Sequence, residues 1–195
     1  ERTLKFIKGP IFSNIILADE INRTPPKTQS ALLEAMQENK VTTGGQTYTI
    51  EQPFFVLATQ NPIEQEGTYP LPEAQLDRFM FNVLIKYPSF NEEQLVVKSN
   101  TSSNETSLNS VLSKDDLVAF QSLIRNIPVS DNLIEYAVKF VHSTRPGKDS
   151  PDLTNKYIEW GAGPRASSFL ILAAKAKAVL SGKATPDIDD IKSII

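Results

Sequence analysis

The chain has 195 residues, of which 40% are hydrophobic and 22% are charged, a composition typical of an ordinary globular protein. A net charge of −3 without a long basic run gives no electrostatic case for nucleic acid as the main partner. The absence of cysteine excludes disulfides and thiolate sites, and no apolar run is long enough to span a membrane. The N-terminus does not resemble a signal peptide, so we expect a cytoplasmic protein.

The first predicted strand, at 14–19, is an apolar run that ends in the adjacent carboxylates Asp19 and Glu20. Such runs are typical of strands buried on both faces of a parallel sheet, where ligands bind at the carboxyl ends of the strands. A carboxylate at this position can hold Mg²⁺, and a second one can orient a water for attack on a phosphate. The alternative is that the Asp simply caps the next element.

A helix and a hairpin are predicted next along the chain. Apolar residues recur at helical spacing over 27–38. Two β-rich runs then flank Gly44 and Gly45, which predicts a hairpin over 41–50. The hairpin suits a moving contact loop, and the alternative is a structural loop without a special role.

A second buried strand is predicted at 54–59, and Asn61 follows it closely. An amide at a strand end can bind a phosphate or a water, although an isolated Asn is often only a turn residue. A short helix at 73–76 and a third strand at 80–85 complete this part of the chain.

From about residue 90 the strand signals vanish and helices dominate, so the best domain boundary lies at 87–91. Ser113 with Asp116, and Ser130, are N-cap signals. Polar residues over 101–110 predict a loop, and a long connector follows His142. The helices are predicted from 91, from 113 to 125, from 130 to 142, from 165 to 180, and from 185 onwards.

Four stretches together carry a resemblance to a known family. They are Leu-Ala-Asp-Glu-Ile-Asn-Arg at 17–23, Leu-Ala-Thr-Gln-Asn-Pro at 57–62, Glu-Ala-Gln-Leu-Asp-Arg-Phe at 73–79, and Gly-Pro-Arg at 163–165. This combination resembles the MoxR family of AAA+ ATPases over nearly the whole chain.

The resemblance implies an α/β fold in two parts. Residues 1–88 would be the C-terminal part of a P-loop-type parallel core, and residues 89–195 an all-helical lid domain. No G-x-x-x-x-G-K-[ST] motif occurs in the chain. Because the P-loop lies upstream in the family, we expect a further N-terminal half, without which two apolar strand edges would be unpaired and ATP would bind poorly.

The resemblance also implies roles for five residues at an ATP site. Asp19 and Glu20 would be the Walker B pair, with Asp19 on Mg²⁺ and Glu20 placing the attacking water. Asn61 would be the sensor 1 residue that helps to hold this water. Arg78 would be the arginine finger that reaches a neighbouring subunit's nucleotide, and Arg165 the sensor 2 residue of the lid.

Other interpretations of the two arginines stay open. It also stays open whether each arginine acts on the nucleotide of its own subunit or on that of a neighbouring subunit. Arg78 could form a salt bridge with Asp77 or a nearby acid. Arg165 could be a solvated residue in the first turn of a helix. A cation is unfavourable at that position, because helix N-termini carry positive partial charge, so an anion nearby would explain it.

Two classes of function remain possible. The first is an ATP-hydrolysing chaperone that works as a ring, expected to be a hexamer, to remodel protein partners. The resemblance suggests partners with von Willebrand A domains. The second is a non-catalytic scaffold derived from a truncated or degenerate ATPase, which the intact set of site residues disfavours.

Overall fold

The computed structural model describes residues 6–61, 67–102 and 107–195. Parts of the N-terminal segment, of the loop after Asn61 and of the predicted polar loop at 101–110 therefore lie outside the described residues. The strands are β1 (Ile15–Ala18), β2 (Lys40–Thr43), β3 (Gln46–Thr49) and β4 (Phe55–Ala58). The helices are α1 (Pro26–Glu38), α2 (Glu73–Leu76), α3 (Phe90–Asn100), α4 (Lys114–Asn126), α5 (Asp131–Ser143), α6 (Asp152–Tyr157), α7 (Pro164–Leu180) and α8 (Ile188–Lys192).

The predicted pair of parallel strands and the predicted hairpin are both present. β1 and β4 run parallel in a register from Ile15–Phe55 to Ala18–Ala58, so their carboxyl ends lie side by side. β2 and β3 form the antiparallel hairpin, closed by two glycines with φ of 58° and 76°. Positive φ at both central positions is what a tight hairpin turn requires.

The prediction that β1 and β4 are buried on both faces was wrong for one face. Ile15 and Leu17 are each 64% exposed, and Phe55 and Leu57 are 55% and 49% exposed. Because side chains alternate along a strand, these four share one face of the pair. No layer of the described residues covers that face, so the apolar run alone did not determine burial.

The predicted third strand at 80–85 was also wrong, because the segment has irregular backbone. Its apolar side chains lie in solvent, with Val83, Leu84 and Ile85 exposed by 77–86%. A strand forms only beside a hydrogen-bonding partner. The described residues place no strand next to this segment.

The core of the first part lies between the parallel strands and α1. Ile21, Leu33 and Leu71 are buried together, and Ala18 and Phe79 pack against them. This cluster joins the turn after β1, the middle of α1 and the segment that leads into α2. The cluster therefore supports the carboxyl ends of the strands from the side on which α1 packs.

The helices after residue 89 form a second cluster, which buries Leu133, Ala137, Ala174 and Ile191. The predicted cap of α4 is confirmed, because Ser113 forms a reciprocal capping box with Asp116. α6 was missed, since it lies inside the predicted connector. The boundary at residue 88 stays a prediction.

The end of this connector is held against α5 at close range. Arg145 Nε donates to Ala162 O at 2.9 Å. A Cβ on Gly161 would lie 2.4 Å from Arg145 Cα, so only glycine fits there. This contact fixes the start of α7.

None of the described helices combines the length and apolarity needed to cross a membrane.

Candidate functional site

The turn after β1 is held by one residue at the end of β4. Thr59 Oγ1 donates to Asp19 Oδ1 at 2.6 Å and accepts from the Glu20 amide at 2.8 Å. The Thr59 amide donates to Ala18 O at 3.1 Å, and the Ile21 amide donates to Thr59 O at 3.0 Å. Thr59 therefore bonds to four consecutive residues, from the last residue of β1 into the turn.

Glu20 has a left-handed backbone, with φ 48° and ψ 51°. For a residue other than glycine this conformation costs about 1–2 kcal/mol, so neighbouring contacts must maintain it. Its carboxylate accepts from Arg23 Nη1 at 3.1 Å, and both side chains are 40–50% exposed. An ion pair this exposed is weak, so the Glu20 carboxylate is readily released.

Asn61 lies at the same edge of the sheet, two residues beyond Thr59. Asn22 Nδ2 donates to Asn61 O at 3.4 Å, and Asn22 itself is buried in the turn after β1. The structure thus brings Asp19, Glu20 and Asn61 together at two adjacent strand ends.

A second group of residues joins the two parts of the chain. Arg165, in the first turn of α7, donates through Nη1 to Asp77 Oδ2 at 2.7 Å and to Asp77 O at 3.3 Å. A Cβ on Gly163 would lie 3.1 Å from Asp77 Oδ1, so the glycine leaves room for this carboxylate. Arg165 is therefore paired and half-buried in this structure, and its partner is the anion that a cation at a helix N-terminus requires.

Arg78 follows Asp77 at the end of α2 and is half-buried. Its main-chain amide donates to Gln75 O at 3.2 Å. Its guanidinium forms no hydrogen bond or ion pair within the described ranges, so the salt bridge with Asp77 that was the alternative is not formed.

Among the described residues, no hydrogen bond or ion pair joins the Asp19 group directly to the Arg165 group. They are connected through the packed cluster of Ile21, Leu71 and Phe79. The sequence interpretation missed two participants, Thr59 and Asp77. Thr59 could have been found, because it follows β4 at the same offset as Asp19 follows β1.

The chemistry of Asp19 fits a magnesium ion. Its Oδ1 is fixed by Thr59, and its Oδ2 accepts no hydrogen bond from the described residues. Those residues contain no group of three or more ionisable ligands that could hold a metal. A single carboxylate is nevertheless what Mg²⁺ uses where phosphates and waters supply its other ligands.

Comparisons with known proteins match both the first part and the last part of the chain to AAA ATPase families. Residues 1–81 match the ATPase family associated with various cellular activities (AAA), and residues 151–195 match the AAA lid domain. The chain is 48% identical over 185 residues to the uncharacterized protein YeaC of Bacillus subtilis, covering 94% of this chain and 55% of that protein.

Two further matches give the same result. The chain is 44% identical over 176 residues to chaperone MoxR1 of Mycobacterium tuberculosis, covering 90% of this chain and 46% of that protein. A candidate ATPase from Cytophaga hutchinsonii, solved by crystallography, superposes with a TM-score of 0.89 at 44% identity, covering 96% of this chain and 58% of that one.

The chain spans about half the length of the curated relatives it matches. The predicted α/β core with a helical lid is confirmed by these matches. The chain belongs to the MoxR family of AAA+ ATPases.

Proposed function

We propose that the protein to which this chain belongs hydrolyses ATP with Mg²⁺ and uses the reaction to remodel protein partners. The observation that carries the proposal is the grouping of Asp19, Glu20 and Asn61 at adjacent strand ends, where Thr59 holds the two acids and Asn22 holds the main chain of Asn61. Membership of an ATPase family and 44% identity to a protein named chaperone support it. We further propose that the protein is cytoplasmic and assembles into a hexameric ring. Its partners would be proteins with von Willebrand A domains.

Asp19 would hold the magnesium ion through its available Oδ2. When bound, the ion would supply positive charge that neutralises the negative charge developing on the phosphate during transfer. Glu20 would leave Arg23 and orient the attacking water, and the Asn61 side chain would hold this water. Phosphoryl transfer needs mainly such positioning and charge stabilisation.

The two arginines would supply positive charge to the phosphates. Arg78 is available for a neighbouring subunit because its guanidinium has no partner within the described residues. Arg165 would exchange Asp77 for the nucleotide, which would bring the lid towards it. A guanidinium suits this role since it stays charged and donates two hydrogen bonds at once.

The experiment that tests the proposal is Glu20→Gln in the full-length protein. Loss of the carboxylate should reduce steady-state ATP hydrolysis by about 10²–10⁴-fold, because a positioned base contributes that much. ATP binding, followed with a fluorescent analogue, should be retained since Glu20 does not cradle the phosphates. Glu34→Gln, at an exposed position of α1, is the matched control and should keep the wild-type rate. Hydrolysis at the wild-type rate by Glu20→Gln would refute the role of Glu20.

A further inference from the structure

We infer that Thr59 is the positioning residue of this site: its hydroxyl orients the Asp19 carboxylate for the metal and holds Glu20 in its left-handed turn. The inference rests on the proposed function and adds a residue to it.

A threonine hydroxyl has one hydrogen to donate and can accept hydrogen bonds on its oxygen. In this structure the hydrogen points to Asp19 Oδ1 at 2.6 Å, and the oxygen accepts from the Glu20 amide at 2.8 Å. Both bonds fix the rotation of the hydroxyl. One carboxylate oxygen of Asp19 is therefore occupied, which leaves Oδ2 for a cation.

The second bond concerns the backbone of the turn. Glu20 has φ 48°, which is strained for a residue with a side chain. The amides of Glu20 and Ile21 donate to Thr59 Oγ1 and Thr59 O respectively, at 2.8 Å and 3.0 Å. These bonds hold the main chain on both sides of the strained residue. Thr59 therefore fixes the backbone position from which the Glu20 side chain extends.

The choice of threonine agrees with this role. A β-branched side chain has few χ1 rotamers, so the hydroxyl is held in place before it bonds. Serine keeps the hydroxyl without that restriction, and valine keeps the shape without the hydroxyl. These two residues separate the effect of the hydrogen bonds from the effect of packing.

The experiment compares Thr59→Val and Thr59→Ser in the full-length protein. Binding of Mn²⁺, as the probe for Mg²⁺, is measured by electron paramagnetic resonance in the presence of a non-hydrolysable ATP analogue. Loss of a partner that orients a metal ligand costs about 10–100-fold in metal affinity, so Thr59→Val should bind Mn²⁺ at least tenfold more weakly. Thr59→Ser should restore most of the affinity, and affinity for the analogue in EDTA should be unchanged in both.

Thr28→Val is the matched control, because Thr28 is exposed on α1 and its hydroxyl forms no hydrogen bond with any residue that the structure describes. Wild-type Mn²⁺ affinity in Thr59→Val, or equal losses in the Ser and Val variants, would overturn the role of Thr59. If the wild-type protein itself bound no Mn²⁺ with the analogue, the proposed function would fall together with the inference.

A second measurement needs no variant, in case Thr59→Val does not fold. Hydrogen exchange of the Glu20 amide in the wild-type full-length protein should be slow, although the residue lies in a turn at a sheet edge. Fast exchange at Glu20 would overturn the proposed bond to Thr59 Oγ1, whatever the enzyme does with ATP.

Discussion

Arg165 illustrates how a single residue can be predicted from its chemistry while its partner is not. A cation in the first turn of a helix is unfavourable, so the sequence predicted a nearby anion. The structure provides the carboxylate of Asp77, 88 positions away along the chain. A contact over that separation depends on how the two parts of the chain pack, which no local pattern contains.

The Asp77–Arg165 pair leads to a prediction about stability. Its side chains are 32% and 37% exposed, so solvent weakens the attraction between them. We expect Asp77→Asn to lower the free energy of unfolding of the full-length protein by about 0.2–1 kcal/mol. Denaturant unfolding measures this change, with Glu73→Gln as the control, since Glu73 is an exposed acid of α2, the short helix that Asp77 directly follows.

The pairing itself is tested by a double-mutant cycle with Arg165→Gln. If the two side chains stabilise the fold only through their contact, removing the second one after the first has no further effect. The double variant should then be as stable as the less stable of the two single variants. Fully additive losses would contradict the pairing.

The remaining site residues were predictable because they follow strands that the pattern places. Asp19 comes directly after β1, and Asn61 comes soon after β4. Parallel strands that are neighbours bring their carboxyl ends to one edge. The position of Thr59 was predictable in the same way, but its hydrogen bonds to the turn were not, because they depend on the register between the two strands, which is set by their pairing in space.

At the scale of elements, the helices were predicted better than the strands. Ser113 and Ser130 marked helix starts that the structure has at Lys114 and Asp131. Capping is local, since the cap bonds to an amide only a few residues further along. The segment 80–85 failed for the opposite reason, because a strand needs a partner that its own residues cannot supply.

The lid cluster around α5 yields a prediction for a whole element. Leu133 is 3% exposed and packs with Ala137, Ala174 and Ile191. Leu133→Ala should therefore lower the free energy of unfolding of the lid by about 2–5 kcal/mol through lost burial and a cavity. Leu180→Ala is the control, since Leu180 is 86% exposed at the end of α7, and it should change stability by less than about 0.5 kcal/mol.

Hydrogen exchange of the full-length protein can locate this effect. Amides of α5 and α7 should exchange faster in Leu133→Ala, while those of α1, which packs in the other cluster, should not change. Equal acceleration in α1 would show that the two clusters unfold as one unit.

For the whole molecule, the two parts are joined by a second polar contact besides Asp77–Arg165. Lys114 Nζ lies 2.8 Å from Glu51 Oε1, and this ammonium lowers the pKa of the Glu51 carboxyl below its usual value. The stabilisation is present above the ordinary carboxyl pKa and is lost as the pH falls through the lowered value. Both junctions are polar and partly exposed, so each holds the two parts together only weakly.

The face of the parallel pair opposite α1 is an exposed apolar surface. It presents a contiguous set of large apolar side chains: Ile15, Leu17, Phe55 and Leu57. Contiguous patches of this kind cause association, whereas isolated exposed apolar residues do not. Leu153 and Leu180 offer a comparison with isolated residues. They are also exposed, by 70% and 86%, but lie on different helices.

We therefore expect the 195-residue polypeptide to self-associate through this face. Replacing Leu17 and Leu57 together by threonine should raise several-fold the concentration at which light scattering begins. Threonine keeps the strand propensity, so pairing of β1 with β4 should survive the change. Circular dichroism checks that the variant is folded.

The matched control replaces Leu153 and Leu180 by threonine, which removes more exposed apolar surface than the test variant does, but from separate places. If scattering depended only on total exposed apolar area, the control variant would delay association at least as much as the test variant, and the sheet face would have no special role. If the face is the cause, only Leu17→Thr with Leu57→Thr delays association, because attraction between apolar surfaces grows with the contiguous area that two copies can remove from water.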